Sequence, residues 1–382
     1  MPVSVRESTR SLTPFPSDGV WTTWAGSSRT GALWHMPDTA SATRTARVLA
    51  EKFGPQPFTS RQAHDVVSPR ALRTAVARGT VQRLRRGAYA VAHESDLTRY
   101  RLRITAALVA RPAAVASSEA ALALTGFSQP HFGEDWDSHP VYLTATRGER
   151  VRNSRLHVST RALPDDHCVV TSFGPATTPR RTAVDLSRRL AFPLALVVAD
   201  EACAAELIQQ ALPDADPRAR PSGSRALLAD RGHDARDLLL RTSHEAPLRT
   251  GVARVRRVAE WVDPAAESPG ESLSRAHLVA AGLPRPVVGL SVTGDDGRTY
   301  YADLAWPEFA VIGEVDGYGK YRADTWQTFR REKQREDALR AAGWLVVRWT
   351  VTEVLRDPGS VVARVRRALL TARRQASRRI PS

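Results

Sequence analysis

The chain has 382 residues, 42% of them hydrophobic and 25% charged, and its 55 Lys+Arg against 40 Asp+Glu give a formal net charge of +15. This is globular usage over more than one average domain, which excludes a wholly disordered or collagen-like chain and points to two or three domains with a polyanionic partner. Only Lys52, Lys320 and Lys333 are lysines, and Cys168 and Cys203 lie outside any CxxC or Cys/His spacing, so neither a disulfide scaffold nor a structural zinc site is supported.

No apolar run approaches the ~18 residues of a membrane span, and the N-terminus lacks the apolar stretch of a secretion signal. A cytoplasmic protein without membrane association is expected. Residues 1–42 are rich in Ser, Thr, Pro and Gly and aperiodic, so they are read as a poorly ordered segment, with Met36 a candidate true start.

Residues 43–95 read as three helices and a hairpin. Val48, Leu49 and Phe53 share one helical face, and Thr59 or Ser60 can cap a helix containing Ala63, Val66 and Val67. Ser68-Pro69 is an N-cap followed by proline at the first helical position, and the helix it opens stops at Gly79. Leu72, Ala75 and Val76 fall on one side of that helix and Arg70, Arg73 and Thr74 on the other. Val81–Leu84 and Gly87–Val91 then alternate as two strands around Arg85-Arg86. Seven arginines between Phe58 and Val91 (61, 70, 73, 78, 83, 85 and 86) face one acid, Asp65. This is the layout of a winged helix-turn-helix whose second helix and wing, through Arg70, Arg73, Thr74, Arg83, Arg85 and Arg86, would meet double-stranded DNA. A small helical domain with a basic exposed face is the alternative.

The stretch from Phe58-Thr59 to Leu84-Arg85-Arg86-Gly87-Ala88-Tyr89 resembles the N-terminal winged helix of AbiEi-type antitoxins. The resemblance implies autoregulatory DNA binding in a toxin-antitoxin or phage-defence setting, with a toxin or defence partner.

Residues 96–262 read as a mixed α/β middle domain. Val141–Thr144 and Leu156–Ser159 are strand-like, and Thr178-Pro179 opens a helix carrying Ala183, Val184, Leu186 and Leu190. The segment Thr178–Leu186 with Ala199-Asp200 is similar to the middle region of the same antitoxin-like proteins. Its histidines, His167 among them, are scattered without ligand spacing.

Residues 263–382 carry the chemistry. Ser268-Pro269-Gly270-Glu271 starts a helix that reaches Ala281-Gly282, and Val287–Val292, Thr299–Trp306 and Phe309–Asp316 read as strands with turns at Gly294–Gly297 and Trp306–Glu308. A polar helix over about 323–342, a doubly buried strand Trp344–Trp349 and a last amphipathic helix complete the order αβββαβα. Glu314 and Asp316, at i and i+2, project from one sheet face, and pairing through the second turn can bring Asp303 near them. Clustered carboxylates repel, and Mg²⁺ or Mn²⁺ is the usual remedy.

Asp303-x10-Glu314-x-Asp316 resembles the PD-(D/E)XK nuclease superfamily. Together with Ser268–Ser272, Asp303–Pro307, Glu314–Gly317 and Arg335–Trp344, the stretch Glu271–Trp349 is similar to its very-short-patch-repair-endonuclease-like branch. The resemblance implies metal-dependent phosphodiester hydrolysis, with Asp303 and Glu314 as ligands. Asp316 occupies the lysine position of E-x-K, so Lys320, or Lys333 from the following helix, is the expected substitute. Glu271 is read either as the acid of a capping box begun by Ser268 or as a metal or water contact, and both can hold. Arg331, Glu332 and Arg335 are read as a solvated charged face or, alternatively, as candidates for phosphate contact or carboxylate orientation.

The terminal arginines 364, 366, 367, 373, 374, 378 and 379, with no acid after Asp357, form either a solvated tail or a second phosphate-contacting strip. The fold class expected is α+β with a C-terminal α/β domain: a winged helix, a mixed middle domain and a restriction-endonuclease-like core. The function expected is a DNA endonuclease, the alternative being a DNA-binding regulator or antitoxin with a degenerate nuclease fold.

Overall fold

The computed structural model describes residues 40–128, 135–148, 150–216, 220–221, 223–246, 250–317 and 326–379. It is a mixed α and β structure in two compact units. One holds the described residues up to Ala92 with Val109–Pro112; the other holds His93–Leu108 and everything from Ala113. No helix among the described residues is long and apolar enough to cross a membrane. The expectation for residues 1–42 falls almost wholly outside the described residues.

The first unit runs α1 (Ala40–Phe53), β1 (Phe58–Thr59), α2 (Ser60–His64), α3 (Pro69–Ala77), β2 (Val81–Arg85) and β3 (Ala88–Val91). The strands form an antiparallel sheet in the order β1-β3-β2. Thr59 and Gln62 make a reciprocal capping box on α2, and Ser68 Oγ accepts from Ala71 N at 3.2 Å to start α3. Gly79, at φ +72°, lets the chain leave α3. Ala46, Leu49, Phe58, Ala63, Leu72, Ala75 and Val81 form the core, with Phe58 stacked between Phe53 and Tyr89. Two details differ from the expectation. The helix over Ala63 ends at His64, leaving Val66 and Val67 in a turn, because Ser68 before Pro69 must be extended. Strand β1 is too short for any alternation to announce it.

The second unit opens with α4 (Asp96–Val109), β4 (Ala114–Ala116), α5 (Ser118–Thr125), β5 (Val141–Ala145), β6 (Val151–Arg152), β7 (Leu156–Thr160), β8 (Cys168–Thr171) and β9 (Gly174–Thr177). These strands make a mixed sheet in the order β6-β7-β5-β4-β9-β8 with parallel pairs β5–β7 and β4–β9, the first of them formed by the two strands read from the sequence. Then come α6 (Pro179–Ser187), α7 (Phe192–Ala211), α8 (Ser224–Leu228), α9 (Gly232–Glu245) and α10 (Val252–Trp261). Helix α7 is apolar nearly all round, as a helix enclosed by others must be, and it packs with α6, α9 and α10 in one cluster.

The chain ends with α11 (Pro269–Ala280), β10 (Val287–Thr293), β11 (Thr299–Trp306), β12 (Val311–Asp316), α12 (Trp326–Ala341), β13 (Leu345–Thr350), α13 (Val351–Arg356) and α14 (Pro358–Arg379). The sheet order is β10-β11-β12-β13, with antiparallel pairs up to β12 and a parallel β12–β13 pair bridged by α12. Leu304, Trp306, Val315, Val347 and Trp349 pack with α11, α13 and α14, while Ala302, Ala305, Ile312 and Val346 pack with Leu339 of α12. A Cβ at Gly313 would lie 2.5 Å from the Trp349 ring, so this strand position admits glycine only. The expected terminal amphipathic helix is α14; the short α13 before it was not expected, and the two are divided at Asp357-Pro358, where the pre-proline residue leaves the helical region at φ −147°.

Candidate functional site

Helix α11 delivers Glu271. Ser268 Oγ accepts from Glu271 N at 3.2 Å, and Gly270 follows because a Cβ there would lie 2.5 Å from Val351 Cγ2. Glu271 Oε1 accepts from Ser268 Oγ at 2.8 Å and Oε2 accepts from Glu267 N at 2.9 Å. Burial, and then the nearby Asp303 charge, push its pKa up to about 7. Glu271 thus caps the helix, as the capping-box reading expects, and its carboxyl also feels the Asp303 charge.

The helix is anchored from below by a pair the sequence did not reveal. Arg275 Nη2 donates to Asp200 Oδ2 of α7 at 2.6 Å, with both side chains 1% exposed, and Arg275 Nη1 donates to Trp261 O. Asp200 also accepts from Asp263 N at 2.9 Å, and Trp349 Nε1 donates to Ser274 Oγ at 2.9 Å. Asp200, met in the sequence as part of a family-like segment, is thus a structural acid. Its partner lies 75 residues away, beyond any local pattern.

Asp303 stands on β11 one step past the last ladder pair, Leu304↔Gly313, and Glu314 takes the facing position on β12. The ladder opens there, and Asp303 Oδ2 accepts from Val315 N at 2.7 Å, the amide that directly follows Glu314. Glu314 is 5% exposed and turns to the α12 side, where its Oε1 accepts from Arg335 Nη2 at 2.9 Å. The same Nη2 donates to Tyr301 O at 2.6 Å, so one guanidinium bridges β11 and β12 where they part. Asp316 lies 3.9 Å from Arg348 Nη1, and Arg348, level with Glu314 on β13, also meets Glu332 at 3.6 Å and Glu336 at 3.2 Å.

The expected carboxylate group is therefore distributed. Glu271 neighbours Asp303, Asp303 docks on the backbone beside Glu314, and Glu314 and Asp316 each face an arginine. Arg335 was among the candidates read from the sequence; Arg348 was not. Glu332 meets Arg348, whereas Lys333 and Arg331 lie on exposed positions of α12. Lys320 lies outside the described residues. A further cation comes from α8: Arg225 pairs with Glu267 and stacks 4.5 Å from the ring centroid of the exposed Tyr301.

The donors are carboxylate oxygens, the type a hard divalent cation takes, with Glu271 buried and Asp303 half-buried. Among the described residues, a trio with ligand atoms within 4.8 Å of one another occurs elsewhere, at Asp166, His167 and Glu245. Hydrogen bonds account for that trio. Arg181 Nη1 can only donate, so His167 Nδ1 accepts from it at 3.1 Å and Nε2 donates to Glu245 Oε2 at 2.9 Å, while Asp166 pairs with Arg180.

In the first unit, Arg70 and Arg73 are exposed on α3, and Thr74 Oγ1 donates back to Arg70 O at 3.0 Å. Arg83, Arg85 and Arg86 are exposed on and beyond β2, where the ladder shifts register between Arg83 and Arg85 and Gly87 turns the chain at φ +79°. Among the described residues, Arg70, Arg73, Arg83 and Arg86 form no ion pair with an acid.

The chain is 29% identical over 202 residues to two uncharacterised proteins of Mycobacterium tuberculosis, one from strain CDC 1551 / Oshkosh and one from strain ATCC 25618 / H37Rv. The match covers 52% of this chain and 63% of each relative. No family model matches the chain. No solved structure matches it either.

Proposed function

We propose that this protein is a metal-dependent DNA endonuclease whose N-terminal winged helix locates the substrate. One juxtaposition carries the reading: Glu271 of α11 neighbours Asp303, and Asp303 is hydrogen-bonded to the amide that follows Glu314, at the opening of a mixed four-stranded sheet. Asp303 and Glu314 would hold Mg²⁺ or Mn²⁺, which when bound supplies a water of lowered pKa and offsets charge at phosphorus. The protein's own groups orient these acids: Ser268 Oγ and Glu267 N fix Glu271, Val315 N fixes Asp303 and Arg335 fixes Glu314.

The α1-β1-α2-α3-β2-β3 order with a β1-β3-β2 sheet supports the winged-helix assignment. In that arrangement α3 presents Arg70, Arg73 and Thr74 to a major groove, and the β2–β3 turn presents Arg83, Arg85 and Arg86 to flanking phosphates. A defence or toxin-antitoxin setting, with a toxin as partner, is the context that the antitoxin resemblance suggests.

One observation favours a second reading, a non-catalytic regulator or antitoxin: Asp316 stands where E-x-K nucleases place lysine, and it faces Arg348. Incubating the full chain with plasmid and Mg²⁺ or Mn²⁺, beside Asp303→Ala and Glu314→Ala, separates the two. Nicking by the parent alone supports the endonuclease. Salt-sensitive duplex binding without nicking by any of the three supports the regulator and overturns the enzyme.

A further inference from the structure

A lysine in E-x-K nucleases places positive charge beside the metal-binding acids, and among the described residues no lysine does so. Asp316 fills the position itself, and Lys333 is exposed. Arg348 is shared among Asp316, Glu332 and Glu336, so its single charge already answers three acids. Arg335 is placed differently. Its Nη2 bonds both Glu314 Oε1, at 2.9 Å, and Tyr301 O, at 2.6 Å, two residues before Asp303 on the same strand.

We propose that Arg335 is the charge-balancing and positioning cation of the Asp303/Glu314 centre, acting from α12 in place of a lysine on β12; this rests on the nuclease reading above. Asp303 and Glu314 bring two negative charges to the centre, three where Glu271 is also ionised, and Arg335 offsets one of them. A guanidinium stays protonated at working pH, so Arg335 orients Glu314 and stabilises charge but passes no proton. Its bond to the Tyr301 carbonyl also fixes the separation of β11 and β12 where Asp303 and Glu314 leave the ladder.

A charge-balancing role has a signature that a merely structural role lacks. Removing Arg335 leaves the acids more negative, so metal binding tightens while cleavage slows; loss of structure would weaken both. The full chain, Arg335→Ala and Arg335→Lys are compared by calorimetric Mn²⁺ titration without DNA, by plasmid cleavage with Mn²⁺ and by thermal melting. In Arg335→Ala, Mn²⁺ affinity is expected to rise about fivefold. Its cleavage rate constant should fall about a hundredfold, with duplex affinity within about threefold of the parent. Arg335→Lys keeps the charge, so its Mn²⁺ affinity should stay within about twofold of the parent and its cleavage should exceed that of Arg335→Ala.

Unchanged or weaker Mn²⁺ binding in a folded Arg335→Ala overturns the proposal even if the parent cleaves DNA. If Arg335→Ala does not fold, Arg335→Lys decides, since an affinity shift beyond twofold there also overturns it. A parent that binds Mn²⁺ but never cuts sinks the nuclease reading while the affinity shift still upholds Arg335 as the charge-balancing cation. A parent that binds no Mn²⁺ overturns both.

Discussion

Arg275→Met tests how α11 is held in place beneath the site. Asp200 and Arg275 are each 1% exposed and 2.6 Å apart, and in the variant Asp200 keeps the Asp263 amide but loses its cation, while the Trp261 carbonyl loses a donor. Removing one member of a buried pair costs ~3–5 kcal/mol. At ~2–4 °C per kcal/mol for a unit of this size, the melting temperature should drop ~6–20 °C. The double variant Asp200→Asn/Arg275→Met buries no lone charge and should recover at least half of the loss. Burial already pushes the Asp200 pKa upward, and without Arg275 it rises further. An acid whose folded pKa lies above its unfolded value destabilises the fold increasingly as pH rises between the two. The deficit of Arg275→Met should therefore be smaller near pH 5 than at pH 8. Thermal and urea unfolding of the full chain, the single variants and the double variant over that range measure it. A single variant within ~1 kcal/mol of the parent, or a double variant no better than the single, would refute the reasoning.

Three further outcomes are expected. In metal-free buffer at pH 8, Glu271→Gln should be more stable than the parent by roughly 2 kcal/mol, because the buried carboxylate, with its pKa raised to about 7, is then ionised at a cost. The gain should vanish near pH 5, where Glu271 is already protonated, as paired melting curves would show. Gly313→Ala should lose ~1–3 kcal/mol in urea unfolding, since its Cβ would meet the rigid Trp349 ring at 2.5 Å. Arg85→Ala/Arg86→Ala should weaken duplex binding about equally for unrelated sequences and lower the slope of log affinity against log salt by ~1–2, read by fluorescence anisotropy at several salt concentrations.

What the sequence made legible is what local physics enforces. Ser68-Pro69 and Ser268-Pro269 announce their helices because cap and first-turn chemistry act within four residues, and both side chains make the expected bonds. Strand β11 is found at its expected bounds because alternation and a bounding turn suffice to define it. The acids stood out because Glu314-x-Asp316 in an otherwise apolar strand is costly without a reason, and the reason is visible in the arginines that meet them. Those arginines were much harder to read. In a chain where all but three of the 55 basic residues are arginine, no single one is informative by type, and helical or strand periodicity places Arg335 and Arg348 without naming their partners. Arg275 was hidden for the same reason, its acid lying on a helix 75 residues earlier.

The same asymmetry bears on the lysines. Their rarity drew notice to Lys320, which lies outside the described residues, and to Lys333, for which rarity measures composition whereas function depends on reach. Lys333 follows Glu332 on α12 but points to solvent, and Arg335 reaches the acids because it shares the inward row with Glu332, Glu336 and Leu339, spaced three or four residues apart. A cation delivered by that row can answer Glu314 without occupying a strand position, which leaves Asp316 open to an acid provided another arginine, here Arg348, stands beside it.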